Sequence, residues 1–205
     1  MKLLHIIATT RRNKSRTLQI SNKFLAEVKA KNTGLQVDTL NLSDVVLPTI
    51  SSEMTEAKYV LLQGQELNGQ DKSDWTKIIQ YAKDFLAYDY YLISSPMWNF
   101  TIPYQLKHYI DVIIQPGILF QFTANGVEGL AKNKKMFCIT SRGSDYSVGT
   151  YLHQFDFQEP YLRAIFGMAG IVDITFLNAQ PMDYTPEVAQ LSMNKALEGT
   201  LSLAI

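Results

Sequence analysis

Residues 90–113 read YYLISSPMWNFTIPYQLKHYIDVI, and their order decides the fold. Tyr90 to Ser94 is a continuous apolar run of strand length, Ser95 to Phe100 a polar and aromatic loop, and Leu106, Tyr109, Ile110 and Ile113 then recur at helical spacing. A continuous run suits a strand covered on both faces, as in a parallel sheet. Working outward, four more strand-length runs appear: Leu3 to Ala8, Leu35 to Leu40, Met136 to Thr140 and Ile171 to Leu177. Leu35 to Leu40 alternates and reads as an edge strand. Helical stripes separate the runs, at Leu18, Phe24, Leu25 and Val28; at Trp75, Ile78, Ile79, Ala82, Phe85 and Leu86; and at Tyr161, Leu162, Ile165 and Phe166. A last helix is expected from Pro186, with Thr185 as its cap. Strand alternating with helix predicts an α/β fold, a doubly wound three-layer α/β/α arrangement around a five-stranded parallel sheet, as one domain over residues 1–205.

Composition narrows the function. Nineteen Lys and Arg balance nineteen Asp and Glu in 205 residues. That balance lacks the basic stripe that neutralising a nucleic-acid backbone requires. No stretch approaches the ~20 apolar residues of a membrane span, and Leu3 to Ala8 is too short for a signal-peptide core. A soluble, cytoplasmic protein is expected. One cysteine, Cys138, and three scattered histidines argue against a disulfide or a metal cluster. Cys138 and His5 lie inside strand runs and read as packed residues, and His108 reads as a surface residue.

In an open α/β sheet, ligands bind at the carboxyl ends of the strands. Three loops qualify. Thr9 to Thr17 offers the hydroxyls of Thr9, Ser15 and Thr17, the amides of a helix start and the charge of Arg16, which together can hold a dianion. No glycine precedes Gly34, so neither a dinucleotide fingerprint nor a Walker A loop is present. Ser15 alone could equally be an ordinary helix cap. In the second loop, Met97, Trp98, Asn99 and Phe100 offer an aromatic platform with amide donors for a planar heteroaromatic ring, unless Trp98 and Phe100 tuck into the core. In the third, Ser141, Arg142, Gly143 and Ser144 combine short donors with a close-approaching glycine. Converging on one edge, the three describe a flavin mononucleotide (FMN) site.

The stretches 95–111 (SPMWNFTIPYQLKHYID), 120–130 (FQFTANGVEGL) and 134–143 (KKMFCITSRG) resemble the FMN-dependent NADH-azoreductase and NADH:quinone oxidoreductase family, which has a flavodoxin-like fold. The likeness runs from the first strand to the final helix. It implies phosphate contacts at Thr9 and at Ser15 to Thr17, ring and ribityl contacts at Met97 to Phe100, and pyrimidine-edge contacts at Ser141 to Ser144. It also implies NADH or NADPH as donor, quinone or azo acceptors, ping-pong turnover, and a homodimer whose partner completes each pocket. Trp98 stands where Tyr is common, and Thr9 and Thr17 replace serines. No catalytic side chain is expected, since the flavin carries the chemistry.

Phe120 and Phe122 come too late in the chain for the flavin loop. They read as aromatic walls of the substrate pocket, of their own chain or of a neighbour, or as packing on their own sheet. The competing class is a flavodoxin-like electron carrier without a small-molecule pocket, but such carriers are usually acidic for docking and this chain is neutral.

Overall fold

The computed structural model describes residues 1–62, 65–67 and 69–205. Five parallel strands, β1 (Lys2–Ile7), β2 (Gln36–Asn41), β3 (Tyr90–Pro96), β6 (Lys135–Ser141) and β7 (Asp173–Ala179), pair in the order β2-β1-β3-β6-β7. The continuous runs became the three inner strands. Tyr91, Leu92 and Ile93 of β3 are fully buried, whereas β2, with its alternating sequence, is an edge with no buried residue. The order reverses between β1 and β3, which opens a crevice at their carboxyl ends.

Helices cover both faces. On one, α1 (Arg16–Lys31) and α6 (Pro186–Gly199) bury Ile20, Phe24 and Met193 against Leu3, Leu92 and Phe137, and the Phe24 and Phe137 rings meet at 4.8 Å. On the other, α2 (Ser52–Leu62), α3 (Gly69–Leu86), α4 (Tyr104–Ile113) and α5 (Gln158–Met168) pack on Ile6, Tyr91 and Ile93. There Phe85 stacks on Tyr91 at 4.2 Å. Rings buried this completely contribute roughly 1.5 to 3 kcal/mol each. Thr185 caps α6 by accepting the Val188 N–H, with Pro186 following, as the sequence predicts.

Two elements have no counterpart in the sequence reading. One is α2. The other is a hairpin of β4 (Phe120–Thr123) and β5 (Gly126–Gly129), which leaves the sheet between α4 and β6. Among the described residues, no helix is long and apolar enough to cross a membrane.

Candidate functional site

The hollow at the switch point is about 170 Å³ and is lined by Thr9, Arg11, Ser15, Arg16 and Thr17 from the first loop. Pro96, Met97 and Trp98 line it from the second loop, Ser141 to Gly143 from the third, and Met182 and Asp183 from the segment after β7. Thr9, Ser15 and Thr17 are buried although polar. Ser15 is both a cap and a lining residue: its Oγ accepts the Leu18 N–H at 3.3 Å, which leaves its own O–H to donate. Thr17 donates its hydroxyl to Ser141 Oγ at 3.2 Å and so joins the first loop to the third. The amides of Arg16 and Thr17 stand at the first turn of α1, where no intrahelical acceptor exists. Hydroxyls, orphan amides and the positive end of a helix dipole meet in one place, a donor set suited to phosphate.

The second loop is a tight turn. Trp98 and Thr101 exchange backbone hydrogen bonds of 2.9 and 3.0 Å, and the two residues between them are left-handed, with φ +47° at Asn99 and +70° at Phe100. These are the φ signs of a type I′ turn. Among the described residues, neither central N–H donates to a protein acceptor. Trp98 is 38% exposed and Phe100 44%, so neither side chain has tucked into the core. Phe100 leans on Phe155 at 5.4 Å and meets Tyr146 edge-on at 6.4 Å.

Trp98 is also shared with a larger groove of about 750 Å³, whose walls include Ile50, Asn99, Tyr104, His108 and Tyr161. His108 is half-buried and not a free surface residue, because its Nε2 bonds the Pro48 carbonyl at 2.8 Å and ties α4 to the segment before α2. Burial, then the Asp111 carboxylate, pushes the Tyr161 phenol up to about 12, so it stays a neutral donor.

Other expected site residues lie elsewhere. Ser144 is half-buried and lines neither cavity. What lies closest to Gly143 is the mostly exposed Asp183 carboxylate: a Cβ there would fall 2.7 Å from its Oδ2, a contact that the side chain can relieve by turning away. The Arg142 guanidinium turns inward, away from any ligand, to Asp156 at 2.8 Å and Gln158 at 3.2 Å. Phe120 and Phe122 are on the hairpin and line neither cavity of their own chain; Phe122 is 70% exposed. Cys138 is packed inside β6, where burial pushes its thiol up and so disfavours the thiolate.

Met182 and Asp183 were missed. The carboxyl-end rule, applied to the fifth strand as well, leads to them, since they lie in the loop that follows the end of β7 at Ala179.

A family model described as flavodoxin-like fold matches residues 1–203. The chain is similar to the FMN-dependent NADH:quinone oxidoreductase 3 of Pseudomonas fluorescens, at 34% identity over 206 residues, covering 99% of this chain and 95% of that protein. A relative named FMN-dependent NADH:quinone oxidoreductase from Ruegeria pomeroyi is 36% identical over 202 residues, covering 96% of each. Among solved structures, an FMN-dependent NADH-azoreductase from Bacillus anthracis in complex with FMN superposes with a TM-score of 0.86 at 28% identity, covering 100% of this chain and 99% of that one.

Proposed function

Because this chain belongs to the FMN-dependent NADH:quinone oxidoreductases of the flavodoxin-like fold, we propose that it passes hydride from NADH, by way of FMN, to quinones and aromatic azo compounds, cleaving the latter reductively. The observation that carries this is the set of buried hydroxyls at the start of α1 beside a turn whose two central amides meet no protein acceptor among the described residues. One end of the crevice suits a phosphate and the other the polar edge of a flat ring. When bound, FMN supplies the two-electron chemistry.

The chain supplies binding and orientation. Thr9, Ser15, Arg16 and Thr17 hold the phosphate. Met97, Trp98, Asn99 and Phe100 bear on the ring, and Ser141, Arg142 and Gly143 on its pyrimidine edge, Arg142 through its backbone, with Ser144 outside the hollow. The groove between Ile50, Tyr104 and Tyr161 admits the donor and then the acceptor, which is a ping-pong order. An electron carrier has no use for such a groove and is not favoured.

Phe120 and Phe122 belong to this reading as walls contributed to the pocket of a second copy in a homodimer. The exposure of Phe122, with the half-buried Phe120 ring against it on a hairpin that lines neither the hollow nor the groove, supports this. A cytoplasmic location follows from the need for NADH.

Steady-state turnover of the FMN-loaded chain tests the proposal, with NADH and NADPH each paired with a quinone and an azo dye. NADH-driven reduction of both acceptors is the expected result. Failure to retain FMN, or stoichiometric FAD on denaturation, would reject it.

A further inference from the structure

The Asn99–Phe100 turn is left-handed at two successive non-glycine residues, a conformation that persists only where its surroundings over-determine it. What holds it, beyond its own Trp98–Thr101 pair, is the amino-terminal end of α5. The Phe157 N–H donates to the Phe100 carbonyl at 3.0 Å, and Gln158 Nε2 donates to the Pro96 carbonyl at 2.9 Å. The turn is therefore gripped on its far side and at its root.

Gln158 is fully buried and is itself fixed, its Oε1 accepting from Arg142 Nε at 3.2 Å. Arg142 is ion-paired to Asp156 at 2.8 Å. The other Asp156 oxygen accepts the N–H groups of Gln158 and Glu159 at 3.0 and 3.1 Å, which closes the ring. A buried ion pair is a poor way to stabilise a fold, since apolar residues of similar volume do so as well or better. Here it reaches the two carbonyls that orient the turn.

Resting on the FMN reading above, we propose that Arg142, Asp156 and Gln158 are positioning residues that fix the Asn99 and Phe100 amides relative to the flavin ring and thereby set its reduction potential. Amides aimed at a ring whose electron density changes on reduction bind its two forms unequally, so moving them changes the ratio of those affinities. None of the three side chains needs to touch the flavin for this.

The test compares FMN-loaded wild type with Asp156→Ala, Asp156→Asn and Gln158→Met, measuring the two-electron midpoint potential, the visible flavin spectrum, and dissociation constants for FMN and riboflavin. In Asp156→Ala and Gln158→Met the ratio of oxidised to reduced flavin affinity should change at least tenfold, a shift of about 30 mV or more. Their kcat should fall with the KM for NADH kept within about twofold. Asp156→Asn, which keeps the acceptor for α5, should recover much of the wild-type potential. The FMN-over-riboflavin preference, set at the hydroxyl loop, should be unchanged in all. Identical potentials and spectra in every variant that folds, with only melting temperatures lowered, would overturn the inference. A wild type that takes up no FMN would instead overturn the cofactor reading, and this one with it.

Discussion

The Arg16 guanidinium lies 2.6 Å from the Asp183 carboxylate across the rim of the hydroxyl-lined hollow. Both side chains keep solvent contact, so the pair itself contributes on the order of 0 to 1 kcal/mol to folding. Its importance is local: a negative charge stands beside a cavity whose other donors suit an anion.

Asp183→Asn should therefore tighten FMN binding by roughly threefold to tenfold, on the order of 1 kcal/mol of relieved repulsion at surface dielectric. Riboflavin, without the phosphate, should bind as before. Fluorescence titration of the flavin-free chain gives both constants. Weaker FMN binding would mean that Asp183 serves chiefly to aim Arg16.

Ser15→Ala combined with Thr17→Ala removes one free hydroxyl donor to a charged acceptor, worth roughly 1.5 to 3 kcal/mol, and the Thr17 bond that joins the first loop to Ser141. FMN affinity should drop at least tenfold. Because Ser15 also caps α1, the flavin-free chain should lose about 1 kcal/mol of stability as well. Denaturant melts separate the two effects, and unchanged affinity per folded molecule would leave Ser15 a cap alone.

His5 should make the protein acid-sensitive. Buried in β1 against Ser94 Oγ at 2.7 Å, it is driven down to about 4 by desolvation, from an ordinary 6.5. Between those values the unfolded chain binds the proton and the folded chain does not, so stability falls as pH drops from about 6.5 to 4 and this contribution levels off below. The loss is roughly 3 kcal/mol. Denaturant melts of wild type and His5→Gln should diverge across that window, and parallel pH profiles would refute the assignment.

Phe122→Ala should raise the KM for quinone or azo acceptors with flavin content kept. If the residue works across a dimer, mixing it with the Ser15/Thr17 double variant should restore near-normal acceptor binding at one hybrid site. A monomer with full activity in sedimentation would remove the basis for this expectation.

The layered fold was legible because burial on both faces of a sheet leaves continuous apolar runs, as in Tyr91 to Ile93, and because Thr185-Pro186 announces a helix start chemically. The hairpin was not: its strands are four residues long and mostly exposed, too short for a period of two to register. The three ligand loops could be found from position alone, since they follow strands. The supports behind them could not. Gln158 grips Pro96 across 62 positions of sequence, and Arg142 looks in sequence like a ligand residue because nothing local reveals that its charge is spent on Asp156. Ser144 was adjacent to the site in sequence only.

The foot of the β4–β5 hairpin leaves no space for even one methyl group: a Cβ on Gly129 would fall 2.3 Å from the Gly170 backbone nitrogen, with the α5–β7 turn pressed against it. Main chain lies directly on main chain there, so the hairpin is braced at its foot like a bracket bolted to a wall. A strand of four residues reaches about 14 Å from such a mount. A ten-degree tilt forced at Gly129 would then carry the hairpin tip through about 2 Å and Phe122, two residues from the foot, through about 1 Å. The placing of Phe122 is thus decided at two glycines, one of them paired with Phe120 two residues before it.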